Sequence, residues 1–205
     1  MKNAESQASR SIEAFLSDLS SRAATPGGGS ASALVGAVAA ALAGMVGRLN
    51  DKKDGAPGPL HDSIVPADTL RARLLGLMDE DIAAFNELAA TWKLPDDPAH
   101  QARKAAAVIA ATEKPLEIME RCVEVMRLAA AGLEKSKKNC LSDAGVAGLC
   151  AHAAVESARL NVMINLPGIR EGARHSELRR RADQVRSNAA ELRIEIERLL
   201  EENYR

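Results

Sequence analysis

The stretch TPGGGSASALVGAVAAALAGMVGRL, residues 25–49, decides the fold of this chain. A proline and three glycines, which disfavour helix more than any other residues, lead directly into a run of mostly small residues dominated by alanine. Small side chains allow neighbouring helices to approach closely. We therefore predict a helix that begins at the triple glycine, ends near Asn50 and packs at short range.

A membrane span is the alternative interpretation of this stretch, since it is apolar and nearly long enough to cross a bilayer. However, its alanines and glycines contribute little insertion free energy, and the charged segment RLNDKKD follows at residues 48–54. We therefore interpret it as a buried core helix.

The composition favours a single domain that covers residues 1–205. The chain is 46% hydrophobic but only 2% aromatic, so its core must be built mainly from aliphatic side chains. A net charge of −1 argues against nucleic acid as a partner. Three cysteines without a C-x-x-C spacing, and an N-terminal segment without an apolar run, predict a reduced, cytoplasmic protein with no membrane partner.

The whole chain has the pattern of helix after helix, with no convincing β-type alternation. The predicted fold class is therefore all-α, with about seven helices. Residues 51–66, DKKDGAPGPLHDSIVP, are rich in turn formers and predict a loop. Pro115 is expected to kink or break a helix that starts at Asp97 and Pro98. The predicted helices are a short one ending near Ser21, the glycine-led helix, 66–92, 98–115, 115–131, one capped by Ser142 or Asn139 that reaches Leu166, and 174–203.

The glycine turn is a candidate binding site. Gly27, Gly28 and Gly29 present backbone N–H groups at the positive end of a helix dipole, which suits an anion or a planar ligand. The segment is not a nucleotide P-loop, since the G-x-x-x-x-G-K-[ST] pattern is absent. The alternative is that the glycines only allow tight contact with a neighbouring helix.

Four segments in chain order resemble the formiminotetrahydrofolate cyclodeaminase / methenyltetrahydrofolate cyclohydrolase family. They are the glycine-led stretch, MDEDIAAFNELAATWKLP (78–95), EKPLEIM (113–119) and NCLSDAGVAGLCAHAAVESARLNVMINL (139–166). The resemblance implies a cytoplasmic, all-helical homodimer, an orthogonal or up-down bundle, that handles one-carbon units on tetrahydrofolate. It also implies that Pro26, the three glycines and Ser30 belong to the folate site.

The reaction implied first is cyclodeamination, in which 5-formiminotetrahydrofolate becomes 5,10-methenyltetrahydrofolate and releases ammonia. The alternative is the cyclohydrolase reaction, which opens the methenyl bridge to 10-formyltetrahydrofolate. Both pass through a tetrahedral carbon between two nitrogens and need a group that moves protons. Neither needs a metal or a cofactor beyond the folate, so we expect none.

Asp81 is the first candidate for catalysis, and it shares a helix face with Phe85 one turn later. By resemblance, Asp81 transfers protons or holds the amino-pyrimidine edge of the pterin, while Phe85 stacks on the pterin. The alternative from the residues alone is a surface acid beside Asp79 and Glu80, with Phe85 in the core.

By resemblance, Asp143 is the second catalytic candidate and Ser142 a substrate-binding neighbour. The residues alone favour a helix start, with Ser142 as its cap and Asp143 as a first-turn acid. Asn161 and Asn165 lie one turn apart on an otherwise apolar helix, so they bind substrate or a neighbouring helix. Eighteen residues separate Asp143 from Asn161, about 27 Å along a straight helix. Either two copies of the chain together form a composite site, which we favour, or one of the two groups, Asp143 with Ser142 or the two asparagines, has only a structural role.

Lys52 and Lys53 follow the glycine-led helix and are candidates for binding the glutamate carboxylates of folate, Lys53 in particular. The residues alone favour the alternative, a solvated loop. The segment NDKKDGAPGPLHDS (50–63) departs from the family, since Asn50 replaces a threonine and no aromatic residue follows. This departure motivates a third alternative, a catalytically inactive helical dimer. The four histidines lack metal-ligand spacing, so no metal site is predicted.

Overall fold

The structure, a computed structural model, describes residues 6–95 and 97–205. Within these residues it contains six α-helices and no strand, which confirms the all-α prediction. The helices are α1 (Ile12–Leu19), α2 (Gly28–Asn50), α3 (Ile64–Thr91), α4 (Pro98–Lys135), α5 (Leu141–Asn165) and α6 (Gly172–Tyr204).

Helix α2 packs against α3, α4 and α5 and leaves one of its faces exposed. A Cβ atom added at Gly36 would lie 2.6 Å from Cys122 Sγ and 3.3 Å from the methyl groups of Leu74. The small residues therefore permit close helix packing, as predicted. Among the described residues, α2 is the one helix with the length and hydropathy of a membrane span, but 61% of the span window is buried inside the fold.

Helix α4 continues through Pro115, so the predicted break is wrong and the helix count is six rather than seven. Proline has no N–H and leaves the carbonyl four residues earlier, at Ala111, without its helical donor. Asn165 of α5 donates its Nδ2–H to that carbonyl at 2.9 Å. The side chain of one helix thus replaces the backbone donor missing from another, and α4 remains one helix.

Two helix starts differ from the predictions. Helix α3 begins at Ile64, so the loop before it is shorter than residues 51–66. Neither Ser142 nor Asn139 caps α5, because a 3₁₀ turn, Lys138–Cys140, leads directly into its first residue. The predicted cap at Asp97 is confirmed, since its carboxylate accepts the His100 backbone N–H at 3.0 Å.

Candidate active site

A small cavity of about 130 Å³, here called the inner cavity, lies where the N-terminus of α2 meets α3, α4 and the C-terminal part of α5. Seven residues predicted from the sequence line it together. They are Gly27, Gly28, Gly29, Asp81, Phe85, Asn161 and Asn165. These residues come from three separate segments of the chain, and Ala111 of α4 adds a fourth to the lining. Pro26 and Ser30 flank the glycines and are buried.

The carboxylate of Asp81 caps the N-terminus of α2 from the neighbouring helix. The N-cap residue of α2 is Gly27, which has no side chain to accept the free N–H groups. Asp81 takes that role, because it accepts hydrogen bonds from the backbone N–H of Ser30 and from Ser30 Oγ, the latter at 3.3 Å. An acid at this position is also favoured by the helix dipole.

Gly29 is required by the same contact. A Cβ atom at this position would lie 2.2 Å from Asp81 Oδ1 and 2.4 Å from its Cγ. Only glycine therefore allows the carboxylate to lie against the first turn of α2. Gly28 is less constrained, since its Cβ would meet the Asn161 amide at 3.3 Å.

Burial raises the pKa of Asp81 above its ordinary value, and the two hydrogen bonds from Ser30 partly offset this rise. No ion pair joins Asp81 to any cation of residues 6–95 and 97–205. A carboxyl group whose pKa is moved towards neutrality, and which lines a cavity, is suited to accept and return a proton.

The two neighbouring acids have different environments, so Asp81 is not one of three equivalent surface acids. Asp79 accepts hydrogen bonds from Ser6 Oγ and the Gln7 N–H, which attaches the N-terminal turn to α3. Glu80 pairs with Arg73 and with Lys114, and these hydrogen bonds lower its pKa to about 2.

Both asparagines use their amide N–H groups within the protein. Asn161 Nδ2 donates to the Ser157 carbonyl at 3.1 Å, and Asn165 Nδ2 donates to the Ala111 carbonyl at 2.9 Å. Their side-chain oxygens accept no hydrogen bond from the described residues and belong to side chains that line the inner cavity. The two amides therefore offer acceptors to a ligand with adjacent N–H donors.

We expect Asn165→Ala to lower the free energy of unfolding by about 1–3 kcal/mol, because the buried Ala111 carbonyl loses its donor. In a Pro115→Ala background the helix itself supplies an N–H to that carbonyl, so Asn165→Ala should cost much less. A double-mutant cycle by urea unfolding measures this coupling. Equal costs in both backgrounds would contradict the compensation between Asn165 and Pro115.

A larger groove of about 670 Å³, here called the outer groove, continues from the inner cavity. The two share Phe85, Ile164 and Asn165. Phe85 is half-buried at the junction rather than in the core, and Trp92 contacts it edge to face with ring centroids 5.9 Å apart.

The outer groove contains residues that sequence reasoning missed, namely Trp92, Lys104 and Arg170. Trp92 is the only tryptophan of the chain and lies in residues 78–95, one of the segments that resemble the family. Its place in that segment could have identified it as a candidate site residue. Lys104 and Arg170 lie in no motif, and nothing in the sequence distinguishes them from the other basic residues.

Three predicted site residues lie at the opposite end of the bundle within the same chain. Ser142 and Asp143 are in the first turn of α5, whereas Asn161 is in its last turns, about 27 Å away along the helix axis. Lys53 is exposed in the loop that follows the C-terminus of α2. Asn50, which departs from the family pattern, is buried and accepts the Lys137 N–H at 2.8 Å, so it joins the C-terminus of α2 to the connection between α4 and α5.

Several known proteins are similar to this chain. The sequence model of the Formiminotransferase-cyclodeaminase family matches residues 11–184. A methenyltetrahydrofolate cyclohydrolase from Methylorubrum extorquens is 38% identical over 79% of this chain and 82% of its own length. The formimidoyltransferase-cyclodeaminase of Rattus norvegicus is 30% identical over 87% of this chain, which spans only 35% of that longer protein.

The fold is also that of a solved structure. The crystal structure of a formiminotetrahydrofolate cyclodeaminase from Thermotoga maritima superposes with a TM-score of 0.86 and covers 94% of this chain and 96% of its own. The two sequences are 23% identical, so this likeness concerns the fold.

Proposed function

The chain belongs to the formiminotransferase-cyclodeaminase family, and on this premise we propose that it is a tetrahydrofolate one-carbon enzyme acting at the bridge between N5 and N10. Of the two reactions, we propose the cyclohydrolase first, because the relative that is 38% identical over most of its length carries that name. Cyclodeamination, the first prediction from the sequence, is the second candidate, supported by the 30% identity to the rat protein.

The observation that carries the proposal is the partly buried Asp81 carboxyl, which has no cationic partner among the described residues and lies in the inner cavity. In the cyclohydrolase reaction, Asp81 takes a proton from water as the oxygen attacks the methenyl carbon. The tetrahedral intermediate then opens by cleavage of its bond to N5, which receives the proton from Asp81, while the hydroxyl proton passes to solvent and the formyl group remains on N10. Asn161 and Asn165 accept hydrogen bonds from the amino-pyrimidine edge of the pterin, and Phe85 packs against the ring.

The cyclodeaminase reaction uses the same groups in another order. The nitrogen N10 attacks the formimino carbon while its proton moves to the formimino nitrogen, and the tetrahedral intermediate expels ammonia after its amino group gains a further proton from Asp81. The expectation that no metal or cofactor takes part stays a prediction.

The absorbance of 5,10-methenyltetrahydrofolate distinguishes the reactions. With purified protein, faster disappearance than in buffer, without ammonia release, identifies a cyclohydrolase. Its formation from 5-formiminotetrahydrofolate, with ammonia, identifies a cyclodeaminase. If neither rate exceeds the spontaneous one, the proposal fails and a non-catalytic protein of the same fold remains.

We further propose that two copies of the chain pair through an apolar face formed by α2 and α5. These helices run antiparallel, since Gly28 lies beside Asn161 and Ser32 Oγ hydrogen-bonds to Ser157 Oγ at 2.9 Å. The face carries exposed aliphatic side chains along both helices: Val35, Val38, Met45, Leu49, Val146, Leu149 and Leu160. A monomer seldom leaves such a face uncovered.

A two-fold axis that lies in the plane of this face and perpendicular to α2 and α5 places the inner cavity of one copy beside the Asp143 end of the other. Such a dimer joins the two groups of predicted residues, including Ser142 and Lys53, that lie apart within one chain. The site is then composite, as the spacing along α5 already favoured.

We expect Asp81→Ala and Asp143→Ala each to be inactive alone and to complement one another when co-expressed. A mixed dimer has one intact composite site out of two, so random pairing restores about a quarter of wild-type activity. Differently tagged chains and tandem purification isolate the mixed dimer. A mixed dimer without restored activity would contradict the composite site. Full activity of Asp143→Ala would show that Asp143 only stabilises the first turn of α5.

A cytoplasmic location also remains a proposal. The three cysteines are unpaired, as expected in a reducing compartment.

A further inference from the structure

The outer groove has a chemical character that differs from that of the inner cavity. The inner cavity is small, and backbone, amide and carboxyl groups share its lining with apolar side chains, whereas the walls of the outer groove are mainly apolar and aromatic. Its apolar lining includes Phe85, Leu88, Trp92, Val108 and Ile164. Trp92 and Ile164 are largely exposed, at 67% and 77%, so the groove is open to a ligand from solvent.

Two cations line the groove, and no Asp or Glu among the described residues does. Lys104 makes one hydrogen bond, from its Nζ to the Leu94 carbonyl at 3.3 Å, and has no carboxylate partner in the described part of the chain. Arg170 lies exposed in the connection between α5 and α6 and likewise pairs with no carboxylate of residues 6–95 and 97–205. Most other arginines in the structure do pair with acids, so this groove is unusual in offering two available cations.

The groove extends from the reacting end along α3. Asp81 lies on α3, and Trp92 is the C-cap residue directly after it, eleven positions later and about 16 Å away along the helix axis. A rigid aromatic group leaving the inner cavity at Phe85 therefore passes Trp92 before it reaches open solvent.

From these observations we propose that the outer groove binds the p-aminobenzoylglutamate half of the folate substrate, and that Lys104 and Arg170 pair with its glutamate carboxylates. This inference rests on the proposed function. The benzoyl ring fits the apolar walls beside Phe85 and Trp92, and the two carboxylates match the two cations. In this arrangement Lys104 and Arg170 bind the glutamate carboxylates, which the sequence analysis had assigned to Lys53.

The binding step can be tested without catalysis, because Trp92 is the only tryptophan and lines the groove. p-Aminobenzoylglutamate has no methenyl carbon and cannot react. We expect it to change the Trp92 fluorescence in a saturable way, and p-aminobenzamide, which lacks the carboxylates, to bind more weakly. No saturable change at millimolar concentrations would overturn the proposal, even if the enzyme proves active.

Charge reversal then identifies the cations. We expect Arg170→Glu combined with Lys104→Glu to weaken p-aminobenzoylglutamate binding about tenfold or more, and to raise KM for methenyltetrahydrofolate with little change in kcat. Arg180→Glu, an exposed reversal further along α6 and outside the groove, is the matched control and should leave both unchanged. The proposal is overturned if Lys53→Glu weakens binding while the groove variants do not, or if the control weakens it equally.

If wild-type protein binds p-aminobenzoylglutamate in the groove but turns over neither folate substrate, the proposed reaction fails and the binding site stands. If it turns over methenyltetrahydrofolate with unchanged KM in the double variant, the groove assignment fails and the reaction stands.

Discussion

Asp81→Asn is expected to lower the rate of either folate reaction by about 10²–10⁴-fold while leaving the melting temperature unchanged or higher. Asparagine keeps an oxygen that can accept the hydrogen bonds of Ser30, so the cap on α2 survives. It cannot exchange the proton, however. Steady-state kinetics and a thermal melt followed by circular dichroism measure the two effects on the same sample.

The sign of the stability effect follows from the raised pKa of Asp81. Because the folded protein holds this proton more tightly than the unfolded chain does, the ionised carboxylate costs stability above the folded-state pKa. Removing the charge relieves that cost at neutral pH. A variant that loses activity and also melts well below wild type would indicate a structural rather than a catalytic role for the group.

The same shift predicts the pH dependence of the reaction. If the ionised carboxylate is the base, kcat/KM falls as the pH decreases through the raised pKa of Asp81. Ser30→Ala removes a hydrogen bond that lowers this pKa, so the acid limb of the profile should move to higher pH. An acid limb that stays in place would argue that another group accepts the proton.

Much of the fold could be predicted because composition and periodicity act locally. The small residues of α2 specify a helix that only a closely packed bundle can bury, and Asp97 with Pro98 marks a helix start that the structure confirms. Pro115 could not be interpreted in this way. Its effect on α4 depends on a donor from Asn165, fifty residues later in the chain, and no local rule contains that contact.

The candidate site, too, could be predicted only where local sequence patterns determine it. Helix periodicity puts Asp81 beside Phe85 and Asn161 beside Asn165, but only the family resemblance suggested that these pairs meet at the glycine turn. The distance between Lys53 and the glycine turn could be calculated from the sequence alone. The helix Gly28–Asn50 is 23 residues long, about 35 Å, so the loop after it lies far from the glycines of the same chain.

Gly29→Ala is expected to have the second largest effect, because its Cβ would overlap the Asp81 carboxylate. The atoms would lie 2.2 Å apart, so either Asp81 or the first turn of α2 must move. Overpacking of this kind costs about 1–3 kcal/mol of stability. A displacement of about 1 Å in a catalytic group can lower the rate about 100-fold, so we expect a loss of at least that size.

Two comparisons separate this clash from a general cost of replacing glycine. Gly76→Ala, on α3 outside both cavities, places its Cβ no closer than 3.9 Å to an Arg73 guanidinium nitrogen and should be neutral or slightly stabilising. In an Asp81→Ala background the space beside Gly29 is vacant, so Gly29→Ala should no longer lower the melting temperature. If the stability cost persists there, the requirement for glycine arises from the backbone of the turn, and the close contact with Asp81 is not its cause.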